Sequence, residues 1–230
     1  MKTTIGAEKN GKTCKPQRIP TSEKMTANQI QSAYDEIADR YEKKIWFDQH
    51  ILGVARLRKN LLSKATGKIL EVACGTGQNF PLFASNSEIT AVDLSPKMLE
   101  QARRSAIEHG LNVNLAVMDG EGLEFPDGTF DTVVSTLSTC TFPNPVKALQ
   151  EMKRVCRPNG LILLLEHGHS SLPWLANFQD RNEYQHYQDH AGCRWNQDPL
   201  DLVSSAGIKV LRNKRNILGM FHSIEATPAD

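Results

Sequence analysis

The sequence predicts an α/β fold: an open, mostly parallel sheet, doubly wound with helices on both faces. Three observations predict it. Short apolar runs alternate along the chain with stretches of helical periodicity, the pattern of successive βα units. The stretch Lys68-Ile-Leu-Glu-Val-Ala-Cys-Gly-Thr-Gly-Gln-Asn79 reads as a buried strand entering a glycine-bearing turn, the layout of a nucleotide site at the carboxyl edge of such a sheet. Three acids, Glu71, Asp93 and Asp119, fall in or just after three successive strands.

At 230 residues, with 40% hydrophobic and 23% charged residues, the composition is that of a soluble globular chain with enough length to bury a core. A net charge of +1 gives no global field for nucleic acid or an anionic membrane, so neither is an expected partner. The longest apolar run, Leu161–Leu165, is far too short to span a bilayer, which leaves peripheral membrane contact as the only membrane role. The N-terminus has no apolar leader, so no secretory signal is expected. Five cysteines without a C-x-x-C pair point to reduced thiols inside the cell.

Residues 1–24 are polar and basic, with Pro16 and Pro20, and read as a flexible tail. Their lysines leave a mitochondrial presequence as the alternative to a cytoplasmic chain, although Glu8 and the missing amphipathic pattern argue against it. Residues 25–230 read as one domain, with N-terminal helices over 26–64. In the first, Ile30, Tyr34, Ile37 and Tyr41 share a face; the tyrosines are core residues, or the Tyr34 hydroxyl reaches a ligand above the glycine turn. The second is expected over His50–Lys64 with Arg56, Arg58 and Lys59 outward.

The first strand is Lys68–Ala73, and a short helix is expected from Gln78. The second strand is Glu88–Leu94. Ser95-Pro96 then supplies an N-cap and an N1 proline, and Gly110 a helix stop. The third strand is Val113–Met118 and the fourth Thr132–Ser135. Asn144-Pro145 opens a helix that Pro158-Asn-Gly160 closes. The fifth strand, Leu161–Glu166, is apolar throughout, as a central parallel strand should be. Residues 170–195 mix aromatic, acidic and histidine side chains and read as a lid or substrate segment. Asp198-Pro199 caps a further helix. Ile208–Arg212 and Ile217–Glu225 form a terminal antiparallel hairpin around a basic turn, Arg212 to Arg215.

The site chemistry follows from spacing. Gly75 and Gly77 allow close backbone approach. Asp93 lies about twenty residues past the turn, where an acid accepts the ribose diol of an adenosine ligand. Asp119 can accept an exocyclic amine, with the amides of Gly120 and Glu121 toward a ring edge. Ala73 and Gln78 break G-x-G-x-x-G, and no phosphate-loop motif exists. The pocket suits a ligand with a diol, an amine and a cationic centre but no phosphate.

On Glu71-x-Ala73-x-Gly75-x-Gly77, Asp93, Asp119, Phe130-Asp-Thr-Val-Val-Ser-Thr136 and Arg157-Pro-Asn-Gly160, the chain resembles the class I S-adenosylmethionine-dependent methyltransferases over roughly residues 26–226. The resemblance implies a seven-stranded Rossmann-like sheet in the order 3-2-1-4-5-7-6 with strand 7 antiparallel. It implies S-adenosylmethionine as cofactor, with Glu71 and the Ala73–Gly77 backbone at the methionine end and Asp93 on the ribose. Leu94 and Met98 would pack on the adenine, Asp119 would take its N6, and Tyr34, Asn79 and Thr136 would complete the site. Ala73 stands where the family has glycine, a position where a small residue should suffice. Asn79, Glu166-His167 and Gly192-Cys-Arg-Trp195 are similar to small-thiol S-methyltransferases. The chain resembles as well the group of quinone-ring C-methyltransferases and bacterial phospholipid N-methyltransferases.

The expected activity is therefore methyl transfer to a small molecule, a thiol first, by a monomer or homodimer. The alternative of another class is a non-catalytic cofactor-binding regulatory or assembly protein on the same fold. A thiol or phenol acceptor needs its proton removed or its group oriented, for which His167, Asp180 and His190 are the candidates. His186 and His190 are spaced i, i+4 with Cys193 following, but no fourth ligand is evident and no metal is expected.

Overall fold

Consecutive residues of a strand face opposite sides of a sheet, and in this chain each side has its own core. Leu70 and Val72 of β1 (Lys68–Val72) join Ile162 and Leu164 of β5 (Cys156–His167) on one side. There they meet Leu149 and Met152 of α5 (Pro145–Val155) and Val203 of α8 (Pro199–Ser205). Ile69, Leu163 and Leu165 face the other way. Their partners are Leu61 and Leu62 of α3 (Val54–Leu62) and Leu99 and Ala102 of α4 (Pro96–Glu108). The fold is thus the expected three-layer α/β sandwich.

The computed structural model describes residue 19 and residues 23–50 and 52–228, the side chains of residues 46–50 excepted. Residues 1–18 and 20–22, nearly all of the predicted flexible tail, lie outside that range.

The sheet runs β3-β2-β1-β4-β5-β7-β6. β1 pairs in parallel with β2 (Glu88–Asp93) and β4 (Phe130–Thr136), β2 with β3 (Val113–Val117), and β4 with β5. β7 (Phe221–Pro228) is antiparallel to both β5 and β6 (Ile208–Asn216). The order reverses between β1 and β4, so their carboxyl ends open a crevice at the switch point.

Local caps set the helix starts. Thr26 and Gln29 form a capping box at α1 (Ala27–Ile37). The Ser95 hydroxyl accepts from Met98 N at 3.0 Å, and Asn144 Oδ1 accepts from Lys147 N at 3.1 Å.

Several boundaries differ from expectation. The helix expected over His50–Lys64 is α3, which starts only after Gly53 with φ +77°, and a separate helix, α2 (Tyr41–His50), precedes it. No α-helix follows the glycine turn; a single 3-10 turn, Phe80–Leu82, does, because Pro81 and the packing of Phe80 close the segment at once. β5 begins at Cys156, ahead of the predicted Pro158–Gly160 turn, with a register break between Phe130 and Thr132 of its partner. The terminal hairpin turns at residues 217–220, not at the basic residues. Arg212, Lys214 and Arg215 lie within β6, whose charged outer edge discourages further strand pairing. Ile217 and Leu218 adopt φ +48° and +56°, a conformation their side chains give no hint of.

Candidate active site

The turn after β1 is built from left-handed backbone. Ala73, Gly75 and Gly77 have φ of +56°, +56° and +80°. The requirement at Ala73 is therefore backbone handedness rather than small size, which corrects the expectation for that position. A Cβ at Gly77 would lie 2.5 Å from the Phe80 ring, so glycine is needed there for space as well. Asp93 ties the turn to the next one: Gly75 N donates to its Oδ2 at 2.8 Å and Ser95 N to its Oδ1 at 2.9 Å. Burial pushes the Asp93 carboxyl up from its usual range, and those two amides pull against the shift.

Beneath the turn lies a buried polar network. Glu71 shares its facing with Ile69, toward α3, and is 1% exposed. Its Oε1 accepts from Asn79 Nδ2 at 2.7 Å. Arg58 donates to Asn79 Oδ1 at 2.9 Å and to the Thr136 hydroxyl, and Asn79 Nδ2 also lies 3.0 Å from that hydroxyl. Arg58 was expected to face outward. It is 7% exposed and turned inward, because α3 packs on β5, β7 and the 3-10 turn that follows Asn79. Burial lowers the Arg58 pKa and raises that of Glu71 to about 8, the Asn79 bond and the Arg58 charge opposing the latter shift.

A cleft of about 880 Å³ opens over the turn. Tyr34, Ala73, Gly75, Asp93 and Leu94 line it, and Met98, Asp119, Gly120 and Thr136 complete the expected set on its walls. Glu71, Gly77, Asn79 and Glu121 do not line it; Glu71 and Asn79 sit behind the turn of which Gly77 is part. The Glu121 carboxylate accepts from Asn144 N at 2.6 Å, and its amide donates to Asp119 Oδ1 at 2.9 Å, so that amide is engaged rather than offered to a ligand. A Cβ on Gly120 would lie 2.8 Å from Phe142 and 3.0 Å from Val72.

These residues fit the cofactor of the resemblance on two structural grounds. Glu71 Oε2 is buried behind the turn and has no hydrogen-bond partner among the described residues, an orphaned acceptor toward which an ammonium group in the cleft would be drawn. The Asp93 carboxylate has lone pairs left after its two amide bonds, enough for a diol.

A second cavity, about 1480 Å³, adjoins the first and shares Tyr34, Tyr41, Arg58, Leu137 and Thr141 with it. Tyr34 and Tyr41 stand at the junction with ring centroids 6.2 Å apart. Burial raises both phenol pKa values, that of Tyr41 to about 12. The second cavity is walled by Leu52, Met220, Phe221 and Trp195, with Lys44, His167, His186 and His190 as its ionisable nitrogen groups beside Arg58. Among the described residues, no aspartate or glutamate lines it.

Two of the three expected proton-handling residues therefore face this cavity, His167 and His190. Asp180 does not; it lies 3.0 Å from His169 Nε2 and accepts from Asn196 at 3.1 Å. His190 stacks on His186, which stacks on Trp195, each pair at 4.0 Å between centroids. Burial first, then the neighbouring His190 and His167, lower the His186 pKa to about 3, so it stays neutral.

The segment after β5 folds over this cavity as α6 (Pro173–Arg181) and α7 (Glu183–Asp189). Gln179, 1% exposed, pins α6 down: it accepts from Ser170 N at 2.8 Å and donates to Gly168 O and Trp195 O at 3.2 and 3.3 Å. Glu166 is fully buried, and its Oε2 accepts from Ser138 N and Thr139 N at 3.2 Å. Burial raises its pKa to about 7. Sequence reasoning missed Arg58 and Gln179, because a polar residue on an amphipathic helix carries no sign of which buried groups it meets.

The profile of the family described as "Methyltransferase domain" matches residues 70–164. The chain is 31% identical over 162 residues to "Ubiquinone/menaquinone biosynthesis C-methyltransferase UbiE" of Bdellovibrio bacteriovorus, covering 66% of this chain and 69% of that protein. It is 28% identical over 214 residues to yeast "Methyltransferase OMS1, mitochondrial", covering 85% of this chain and 45% of the relative. It is 37% identical over 111 residues to human "Thiol S-methyltransferase TMT1B", covering 46% of each. The chain thus spans about half the length of several curated relatives that it matches.

Proposed function

The chain belongs to the class I S-adenosylmethionine-dependent methyltransferases, and from that premise we propose that it methylates the thiol of a small, largely apolar molecule held in the second cavity. One observation carries the acceptor class. The cavity beside the cofactor cleft is walled by aromatic and aliphatic side chains, with Lys44, Arg58 and histidines and, among the described residues, no carboxylate. A thiol reacts as its thiolate, which such a wall favours. A cationic amine headgroup would find no counter-charge there among the described residues. The name of the human relative supports the reading. A quinol ring, whose reactive form is also an anion, is the second reading, supported by the name of the Bdellovibrio relative.

S-adenosylmethionine supplies a methyl group on a sulfonium, and in-line transfer depends on positioning and on excluding water. In this proposal Glu71 neutralises the ammonium end through the turn, Asp93 takes the ribose and Asp119 the adenine edge. Leu94 and Met98 provide apolar packing, and Tyr34 and Tyr41 hold the junction where the two ligands meet. His167 or His190 takes the acceptor proton, and the segment 170–195 closes over the acceptor. The proposed compartment is the cytoplasm. The mitochondrion is the alternative, favoured by the yeast relative's name and tested by locating a tagged full chain.

The experiment is a methyl-transfer screen across small thiols, quinols, amines and ethanolamine lipids, following the demethylated cofactor. Turnover with apolar thiols is expected. Turnover confined to quinols or amine lipids rejects the thiol reading, and calorimetry showing no S-adenosylmethionine binding rejects the assignment of the cleft. His167→Ala and His190→Ala should each be compared across pH. Unchanged profiles in both, with normal cofactor affinity, would remove histidine base chemistry.

A further inference from the structure

Three side chains from distant parts of the chain converge on one wall of the second cavity: Cys140 from the loop after β4, His167 from the end of β5, and Cys193 from the segment after α7. Cys140 Sγ and Cys193 Sγ are 3.3 Å apart, Cys193 Sγ is 3.7 Å from His167 Nδ1, and all three ligand atoms lie within 4.8 Å of one another. A tetrahedral zinc ion with ordinary Zn–S and Zn–N bonds needs edges of about 3.8 Å between two sulfurs and about 3.6 Å between sulfur and nitrogen. The two edges at Cys193 match these to within about half an ångström.

We propose that Cys140, His167 and Cys193 form a binding site for a soft divalent cation, Zn²⁺, with the fourth coordination position open to the acceptor cavity. Two thiolates and an imidazole are a donor set that soft and borderline cations prefer, and three protein ligands with one open position is the arrangement of reactive rather than structural zinc.

The scaffold around the cluster is fixed independently of any ion. Arg194 N donates to Cys140 O at 3.0 Å, tying the two cysteine-bearing segments together backbone to backbone. Leu137 N donates to Leu165 O at 2.7 Å, and Glu166 receives the amides of Ser138 and Thr139, so the loop carrying Cys140 is anchored to the strand carrying His167. Leu137 and Ala191, which flank the two cysteines, hold left-handed φ of +57° and +49°, strain of the kind that persists where surrounding structure dictates position. The Arg194 guanidinium also donates to Cys140 O at 3.3 Å, placing positive charge beside the two sulfurs. With the cation bound His167 is a ligand, which leaves His190 as the cavity base.

The proposal rests on this geometry and not on the identity of the methyl acceptor. Its test is direct metal binding by the full chain, reduced and freed of metal, against a chromophoric zinc chelator. One equivalent of Zn²⁺ is expected. Cys140→Ser and Cys193→Ser should each weaken it at least about 100-fold, as loss of a ligand must exceed the usual effect of losing an outer-shell partner. Cys156→Ser, outside the cluster, should leave it unchanged. Co²⁺ in the unaltered chain should give a thiolate-to-metal charge-transfer band and tetrahedral visible bands, a readout that needs no variant to fold. Absence of zinc binding, affinity unchanged in Cys193→Ser, or an octahedral Co²⁺ spectrum without the charge-transfer band would overturn it. So would a Cys140–Cys193 disulfide whose reduction yields no binding. Calorimetry with S-adenosylmethionine on the same samples keeps the two readings separable, because cofactor binding without zinc rejects this site alone.

Discussion

Replacing Glu71 by glutamine should make the ligand-free protein more stable at neutral pH and less able to bind its cofactor. Glu71 is 1% exposed, one of its oxygens has no partner among the described residues, and burial lifts its pKa from 4.5 to about 8. Between those values the native chain keeps a proton that the unfolded chain has released. Stability therefore falls as pH rises, by about 1.4 kcal/mol per pH unit. From pH 4.5 to pH 7 this one group costs about 3 kcal/mol, the opposite sign to an acid stabilised by a salt bridge. Glutamine keeps the shape and the carbonyl that accepts from Asn79 Nδ2, but has no proton to lose. Urea unfolding of both proteins at pH 5, 6, 7 and 8 measures the difference. It should be small at pH 5 and grow to about 3 kcal/mol in favour of Glu71→Gln at pH 7, with unchanged m-value. Glu166, raised to about 7 by burial, is present in both proteins and cancels. Calorimetry should show the reverse order for S-adenosylmethionine, whose ammonium the variant cannot neutralise. A stability difference that stays constant from pH 5 to pH 8 refutes the burial argument.

Further predictions concern the same layers. Ala73→Gly removes an L-residue from φ +56° and should raise unfolding free energy by about 0.5 kcal/mol, since the relief of strain slightly exceeds the entropy gained by the unfolded chain; a lowered melting temperature contradicts it. Arg58→Met leaves the buried Asn79 Oδ1 without its donor and should cost about 2 kcal/mol in urea unfolding, whereas an outward arginine would cost almost nothing. His186, lowered to about 3, is neutral in the native stack, so its contribution is present above its ordinary pKa of 6.5 and is lost as pH falls below it. His186→Phe should therefore lose less stability than the parent between pH 7 and pH 5; equal losses exclude a buried neutral ring.

Much of the fold and part of the site were legible because their causes are local. Ser95-Pro96 and Asn144-Pro145 announce helices through a side chain that accepts from an amide three residues on, a short-range event. The acids Asp93 and Asp119 were legible because they follow apolar strands, and strands of a parallel sheet deliver their ends to one edge. The hairpin turn at residues 217–220 was not legible, since pairing of β7 with β5 sets its register and the local residues favour a turn elsewhere. Arg58 illustrates the same limit on a helix: its spacing fits a solvated face, and only the packing of α3 over Glu71 and Asn79 turns it inward.

The sequence by itself determined an alternating α/β chain, a strand entering a left-handed glycine turn, and acids spaced for a nucleoside ligand without phosphates. These follow from periodicity, chain stereochemistry and the chemistry of single side chains. Only the tertiary structure decided what stands opposite them. Asn79, Arg58 and Thr136 close around Glu71, a cavity walled by aromatic, aliphatic and basic side chains adjoins the cleft, and Cys140, His167 and Cys193 meet across separations of 26 and 53 residues. Contacts at that separation are set by how sheet and helices pack, and packing is a property of the whole chain rather than of any window within it.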